Sequence, residues 1–167
     1  AKADWQKRVL HFVGGDDEVL SNTLSSYMSA YERIITDTLF GAEVLTFKKN
    51  TTAPIQINIS DSIRSVINNG AALINIFGHG SSNGFDQASD DPNVYQNAGK
   101  YSFFIANSCY SGDIHQYNSR SVSENFVIAK QKGSIGFLAT TSYGFDYALN
   151  NFTKGFYKAL TQTHYNL

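Results

Sequence analysis

The sequence predicts an α/β fold, with a mostly parallel sheet covered by helices on both faces. Three observations predict it. Short apolar segments alternate with amphipathic ones along almost the whole chain. Several of the short segments stop abruptly at glycine or polar residues, as buried parallel strands do. The chain has 167 residues, of which 42% are hydrophobic and 16% charged, enough for one domain with a substantial core.

The elements follow in order. The first strand is Arg8–Val13, and a helix is predicted from Glu18 to Phe40 because apolar residues recur there at intervals of three and four. Gly41 and Gly70 are placed to end helices. The further strands are expected at residues 42–47, 72–77, 103–106 and 134–140, and the further helices at 59–69, 122–132 and 149–160. Residues 48–58 and 81–100 are expected to be loops, and a loop as long as the second is more often functional than idle.

Two predicted strands end next to reactive side chains. The segment 72–77 leads to His79, which lies between Gly78 and Gly80, and the segment 103–106 leads to Cys109, the only cysteine. Chemistry in open α/β sheets collects beyond the carboxyl ends of the strands, so neighbouring strands would present both side chains at one edge. A thiol beside an imidazole is a nucleophile with its base. The N–H groups of Gly80 and Cys109 are candidate oxyanion donors, an effect worth roughly 3 kcal/mol per donor.

Other classes of function find less support. A net charge of −1 gives no reason to expect nucleic acid as a partner, and no apolar run is long enough for a membrane span. No signal-peptide or lipidation motif is recognised in the sequence. One cysteine and four scattered histidines lack zinc-site spacing, and His11, inside a strand, is expected to be structural. Three aspartates of the long loop, Asp86, Asp90 and Asp91, could hold a structural calcium ion, although a solvated acidic loop is the simpler interpretation.

Four segments together resemble the gingipain-related cysteine peptidases of the caspase-like group. They are GHGSSNGFD (78–86), NSCYSGDI (107–114), SVSENFVIAKQKGSIGFLATTS (121–142) and SYGFDYALNNF (142–152). The resemblance implies a caspase-like three-layer sandwich formed by residues 1–167, with His79 and Cys109 as the catalytic pair and no required cofactor. It further implies a secreted or surface-attached bacterial protein that acts on protein or peptide substrates.

The resemblance also raises two questions about the site. Catalytic domains of that family have two similar halves and this chain resembles the second, so the acid that orients the histidine would come from the missing first half. Asp16, Asp17 and Asp113 are local substitutes, among which the sequence does not select. The segment after the last strand supplies the first specificity pocket in lysine-preferring relatives.

Three residues of that segment are candidates for substrate binding. They are Ser142, Tyr143 and Asp146. An aspartate in the pocket would favour Lys or Arg before the cleaved bond. A helix N-cap explains Asp146 equally well.

The function predicted from the sequence is therefore that of a cysteine endopeptidase with a Cys–His dyad. The first alternative is a noncatalytic caspase-like fragment that binds partners or supports a larger secreted or secretion-system protein. The second is a nucleotide-binding α/β domain. Gly14-Gly15-Asp16-Asp17 argues against the second alternative, because it lacks a phosphate-loop spacing and places acids where a phosphate would lie.

Overall fold

The computed structural model describes residues 3–37, 39–49, 57–85 and 91–162. The elements, in chain order, are β1 (Arg8–Val13), α1 (Glu18–Ile35), β2 (Glu43–Lys48), α2 (Ile57–Asn69), β3 (Leu73–Phe77), β4 (Gly80–Ser81), β5 (Gly84–Phe85), β6 (Ser102–Asn107), α3 (Val122–Ile128), β7 (Ser134–Ala139) and α4 (Asp146–Gln162).

The main sheet has five strands in the order β2-β1-β3-β6-β7, and every neighbouring pair is parallel. The chain moves outward from β1 to β2, then returns to the other side of β1 with β3. This reversal places a topological switch point between β1 and β3, where ligands and chemistry collect in doubly wound sheets. The predicted mostly parallel α/β architecture is confirmed.

The core divides into one apolar layer on each face of the sheet. On one face α1 and α4 pack together and against the odd-numbered positions of β1 and β3, such as Val9 and Leu73. On the other face α2 and α3 cover the even-numbered positions, such as Leu10 and Ile74. Both layers follow from the alternation of side chains along a strand, since the apolar runs supply a buried residue to each face.

The connection from β3 to β6 was predicted to be a long loop. Its described residues include a short antiparallel hairpin, β4 with β5, and a helical turn at Pro92–Val94. Phe85 stacks on Phe137 and Tyr95 packs on Phe126, so both aromatic rings join the layer under α2 and α3. The described residues of this connection therefore cover part of the sheet face where another connection would use a helix.

Two helices end earlier than periodicity predicts. The helix α1 ends at Ile35 instead of Phe40, because Ala42 N–H bonds to the Ile35 carbonyl and Gly41 turns the chain with φ +64°. The helix α3 ends at Ile128 instead of residue 132. There the buried Asn97 holds Gly133 by two hydrogen bonds of 2.8 and 3.0 Å. A contact from a distant part of the chain thus ends the helix, and periodicity cannot register it.

Candidate active site

Three adjacent strands deliver the candidate residues to one edge of the sheet. Asp16 follows β1, His79 follows β3 and Cys109 follows β6. Phe77 and Asn107 are paired in the sheet, so His79 and Cys109 each lie two residues beyond the same rung. The Gly78 N–H also bonds to the Asn107 carbonyl at 3.2 Å, which continues the pairing past the strand ends. The two loops therefore leave the sheet side by side.

The structure selects one of the three acids considered for the histidine. Asp16 Oδ2 lies 3.0 Å from His79 Nε2, and both side chains are more than half exposed. Asp17 is instead the N-cap of α1 and accepts the Leu20 N–H at 2.7 Å. Asp113 bonds within its own turn, to the His115 N–H at 3.2 Å. An acid of this half of the fold therefore contacts His79, although the family resemblance pointed to the missing half.

Glycines on both sides of His79 allow the neighbouring loops to approach. A Cβ on Gly78 would lie 3.0 Å from the Gly14 Cα, and a Cβ on Gly80 would lie 2.8 Å from the Ser108 side chain. Gly78 thus fits against the loop that carries Asp16, and Gly80 against the residue before Cys109. A larger residue at either position would separate the loops. The two glycines have a packing role in addition to the open N–H groups predicted for them.

Cys109 is half-buried, and its sulfur lies within hydrogen-bond distance of the Gly144 backbone. The Gly144 N–H donates to Sγ at 3.4 Å. Tyr110, directly after the cysteine, takes a left-handed conformation with φ +54° and donates its N–H to the Ser142 carbonyl. The loop after β7 therefore holds the cysteine turn from the side opposite to His79's strand.

The three candidate substrate-binding residues lie on that loop and are all exposed. The ring of Tyr143 packs edge-on against Tyr110, with 4.9 Å between centroids. Partial desolvation and hydrogen bonding to Tyr143 raise the pKa of Tyr110. Asp146 is the first residue of α4, where its carboxylate interacts favourably with the helix dipole. The Ser142 carbonyl accepts the Tyr110 N–H. The structure thus brings Ser142 and Tyr143 to the cysteine turn and leaves Asp146 facing outward.

A buried line of polar residues runs beneath this edge, and sequence analysis missed it as a group. Asn107 donates to Asn75 at 2.9 Å and accepts from Thr153 of α4 at 2.6 Å. The Tyr157 hydroxyl bonds to Asn75 at 3.1 Å and to His11 at 2.9 Å. All five residues are 3% exposed or less. The signal available in the sequence was a polar residue inside each of two apolar strand runs, His11 and Asn75, and a third, Asn107, directly after another run.

His11 lies at the end of that line, fully inside the core as expected of a strand histidine. Burial lowers its pKa to about 4, because the charged imidazolium would lose its hydration. Burial also raises the pKa of Tyr157 and of Tyr31, whose ring packs edge-on against His11. The ring of His11 is therefore neutral at physiological pH.

The possible calcium site can be followed only in part. Asp86 and Asp90 lie outside the described residues, and Asp91 accepts the Asn93 N–H at 2.8 Å to begin the Pro92 turn. Within residues 3–37, 39–49, 57–85 and 91–162, no three potential metal ligands cluster. In the same residues no helix combines the length and hydropathy of a membrane span.

A family model described as "Peptidase family C25" matches residues 1–167. No curated protein matches the sequence at a significant level. Solved structures that share the fold include the following three. The Arg-specific cysteine proteinase gingipain R (RgpB) has a TM-score of 0.71 and 16% identity, over 99% of this chain and 39% of that one. The complex of the Porphyromonas gingivalis RgpB pro- and mature domains has a TM-score of 0.72 and 16% identity, over 99% of this chain and 40% of that one. A structure described as a protease has a TM-score of 0.67 and 17% identity, over 86% of this chain and 31% of that one. The chain thus spans about two fifths of the gingipain chains it matches.

Proposed function

The chain belongs to peptidase family C25, and from that premise we propose that it hydrolyses peptide bonds with Cys109 as nucleophile and His79 as general acid and base. The observation that carries the proposal is the shared edge of the sheet. There an imidazole paired with a carboxylate and a half-buried sulfur leave the same rung of neighbouring strands. A nucleophile, a base and a group that orients the base form the minimal set for this chemistry.

The reaction proceeds in two halves. His79 takes the proton of the Cys109 thiol while the sulfur attacks the peptide carbonyl carbon, and the N–H groups of Gly80 and Cys109 bind the resulting oxyanion. The intermediate collapses when the C–N bond breaks and His79 returns the proton to the leaving amine. Water, deprotonated by His79, then attacks the thioester, which releases the carboxylic acid and restores the thiol.

Asp16 has a positioning role in this scheme. Its carboxylate engages Nε2 of His79, so the proton exchange with sulfur and substrate falls to Nδ1. Fixing one ring nitrogen determines which tautomer the neutral imidazole adopts and how the ring is turned. The role is not carried by burial, since Asp16 and His79 are both largely exposed. A bound peptide would cover the pair and strengthen the interaction.

Four further parts of the proposal rest on the family resemblance. The substrate is a protein or peptide. The resemblance also implies a preference for basic side chains before the cleaved bond, which would require the exposed carboxylate of Asp146 to reach the substrate side chain. The first half of a two-half catalytic domain is the expected partner, which agrees with the fraction of the gingipain chains that this one spans. The protein is secreted or surface-attached in a bacterium. The chemistry requires no cofactor, and calcium would be structural.

A noncatalytic role is the second candidate, because the chain matches about two fifths of the gingipain R chain. In that case the fold would bind partners or support a larger protein without turning over peptide. The two candidates differ in how Cys109 reacts with a substrate-like reagent. They do not differ in its reaction with a small alkylating agent, which any accessible thiol undergoes.

Peptidyl acyloxymethyl ketones with different recognition residues provide the test. Mass spectrometry of the intact chain, followed by peptide mapping, should find one adduct at Cys109, and Cys109→Ala should abolish it. His79→Ala should suppress the adduct while iodoacetamide still modifies the cysteine. Modification by iodoacetamide with no ketone adduct in the wild-type chain would support the noncatalytic candidate.

A further inference from the structure

A recess of about 270 Å³ lies between α4 and the carboxyl ends of β6 and β7. Its walls are almost entirely apolar and include Ile105, Leu138, Ala148, Leu149 and Phe152. It opens to solvent, so it differs from a packing void in the core. Neither its residues nor its position were expected from the sequence.

The recess adjoins the cysteine through a single residue. The Gly144 N–H contacts the sulfur at 3.4 Å, and the position of a Cβ on Gly144 lies 2.7 Å from the Leu149 side chain that lines the recess. Thr140, another lining residue, donates its hydroxyl to the carbonyl of Ser108, the residue before Cys109. One thickness of backbone therefore separates the reacting atom from the apolar walls.

The charge distribution specifies which side chain fits. Among the described residues none that lines the recess is charged, and Asp146, the nearest acid along the chain, is exposed at the start of α4. A Lys or Arg side chain placed there would lose hydration without meeting a counter-ion, which is costly. An aliphatic or aromatic side chain would replace water on an apolar surface, which is favourable.

Two large apolar side chains near the start of α4 are exposed. Phe152 is 61% exposed and Phe145 76% exposed, although large aromatic side chains usually bury most of their surface. Phe152 lines the recess and lies within two turns of the start of α4, and Phe145 directly precedes that helix. A substrate side chain entering the recess would cover part of this exposed apolar surface.

We propose that this recess is a substrate subsite that accepts an uncharged, apolar side chain of the peptide next to the bond that Cys109 cleaves. The inference rests on the proposed peptidase function and makes its substrate class more specific. It replaces the basic side chain, which the sequence suggested through Asp146, with an aliphatic or aromatic one. Discrimination against Lys and Arg follows from desolvation, and discrimination against Ala follows from unfilled volume.

The test uses acyloxymethyl ketones that are identical except for the residue beside the reactive group, which is Leu, Phe, Ala, Lys or Arg. For each reagent the rate constant for modification of Cys109 is measured by mass spectrometry and divided by the rate constant with iodoacetamide. We expect the Leu and Phe reagents to react at least about tenfold faster than the Ala, Lys and Arg reagents. Preference for Lys or Arg would overturn the subsite alone, because Cys109 would still have reacted as a peptidase nucleophile. If none of the ketones modifies Cys109 while iodoacetamide still does, the proposed function and the subsite are both overturned.

Variants of α4 locate the effect. Ala148→Phe fills the recess and should lower the normalised rate for the Leu and Phe reagents about tenfold, towards that for Ala. Ala148→Asp adds a carboxylate to the wall and should turn the preference towards Lys and Arg. Asn151→Phe adds the same ring to an exposed position of α4 outside the recess and serves as the matched control. Equal effects of Ala148→Phe and Asn151→Phe would assign the preference to another part of the surface.

Discussion

Two histidines, His79 and His11, show how the environment of a side chain gives one residue type two different roles. The side chain of His79 is 52% exposed and pairs with a carboxylate. His11 is fully buried and bonds to the neutral hydroxyl of Tyr157. The first is open to solvent and has an ionised partner within reach. The second is neutral because charging it inside the core is costly. Strand position alone separates them, since His11 lies within β1 and His79 lies just past β3.

Substitution of each histidine should separate function from stability most clearly. His79→Ala is expected to lower kcat/KM by about 10³-fold or more, because general acid and base catalysis is lost. It should leave the free energy of unfolding almost unchanged, since the side chain is exposed. His11→Gln should lower that free energy by about 2 kcal/mol and leave kcat/KM within a few-fold of the wild-type value. Peptide hydrolysis and urea unfolding measure the two quantities.

The comparison fails if His11→Gln abolishes hydrolysis in a chain that is still folded. That result would mean that the buried polar line reaches the reacting atoms and is more than support for them. Circular dichroism at the assay temperature establishes whether the variant is folded. Cys109→Ala serves as the reference for complete loss of activity.

Acid should distinguish the two histidines through stability. The pKa of His11 is about 4 in the folded chain and about 6.5 when the chain is unfolded. The unfolded state thus binds a proton more readily, and the stabilising contribution is present in full above pH 6.5 and lost as the pH falls towards 4. The loss amounts to about 3 kcal/mol at its limit. Urea unfolding at pH 7, 5.5 and 4.5 should show it, and His11→Gln should flatten the profile. A profile that is unchanged in His11→Gln would assign the acid sensitivity to carboxylates.

Asp16 offers a smaller effect on the exposed histidine. Asp16→Asn should lower kcat about 10- to 100-fold with little change in KM, because the amide no longer favours the same tautomer and charge of His79. The effect is smaller than the roughly 10⁴-fold loss known for a buried triad aspartate, since this carboxylate is 68% exposed. Asp17→Asn is the matched control, because asparagine still caps a helix and Asp17 does not touch the imidazole. Equal losses of activity in the two variants would remove Asp16 from the site.

Part of the site around His79 could be predicted from the sequence. The ends of β3 and β6 were visible as abrupt stops, so the common edge for His79 and Cys109 followed from the parallel arrangement. The choice of Asp16 over Asp17 was not visible, because it depends on the close approach of Gly14 and Gly78 across two strands. The capping box of α3 was legible in SVSE, where Ser121 and Glu124 bond reciprocally over three residues.

Contacts over long sequence separations set the limit of such predictions. The polar line joins β1, β3, β6 and α4, and a lone Asn or His in an apolar run does not reveal its partner. The recess under α4 is likewise invisible in sequence, because it depends on how far the helix lies from the sheet. The sequence pointed to Asp146 as a candidate substrate-binding residue, but its exposed position could not be predicted. Local chemistry was thus readable where the residues that supply it are close in the chain.

The smallest expected effect concerns Thr153, which ties α4 to the strand that leads to Cys109. Thr153→Val keeps the shape of the side chain but removes the 2.6 Å hydrogen bond to Asn107, whose side-chain oxygen is buried. We expect the free energy of unfolding to fall by about 1 kcal/mol. We also expect kcat/KM to change by less than about threefold, because Asn75 and the Gly78 N–H still hold Asn107. Thr23→Val is the control for the loss of a hydroxyl, because the Thr23 hydroxyl lies on the solvent side of α1 and donates to the Val19 carbonyl of the same helix. A fall in kcat/KM much larger than the loss of stability would show that the core region with His11 and the exposed region with His79 are coupled through Asn107, and the division between the two histidines would no longer hold.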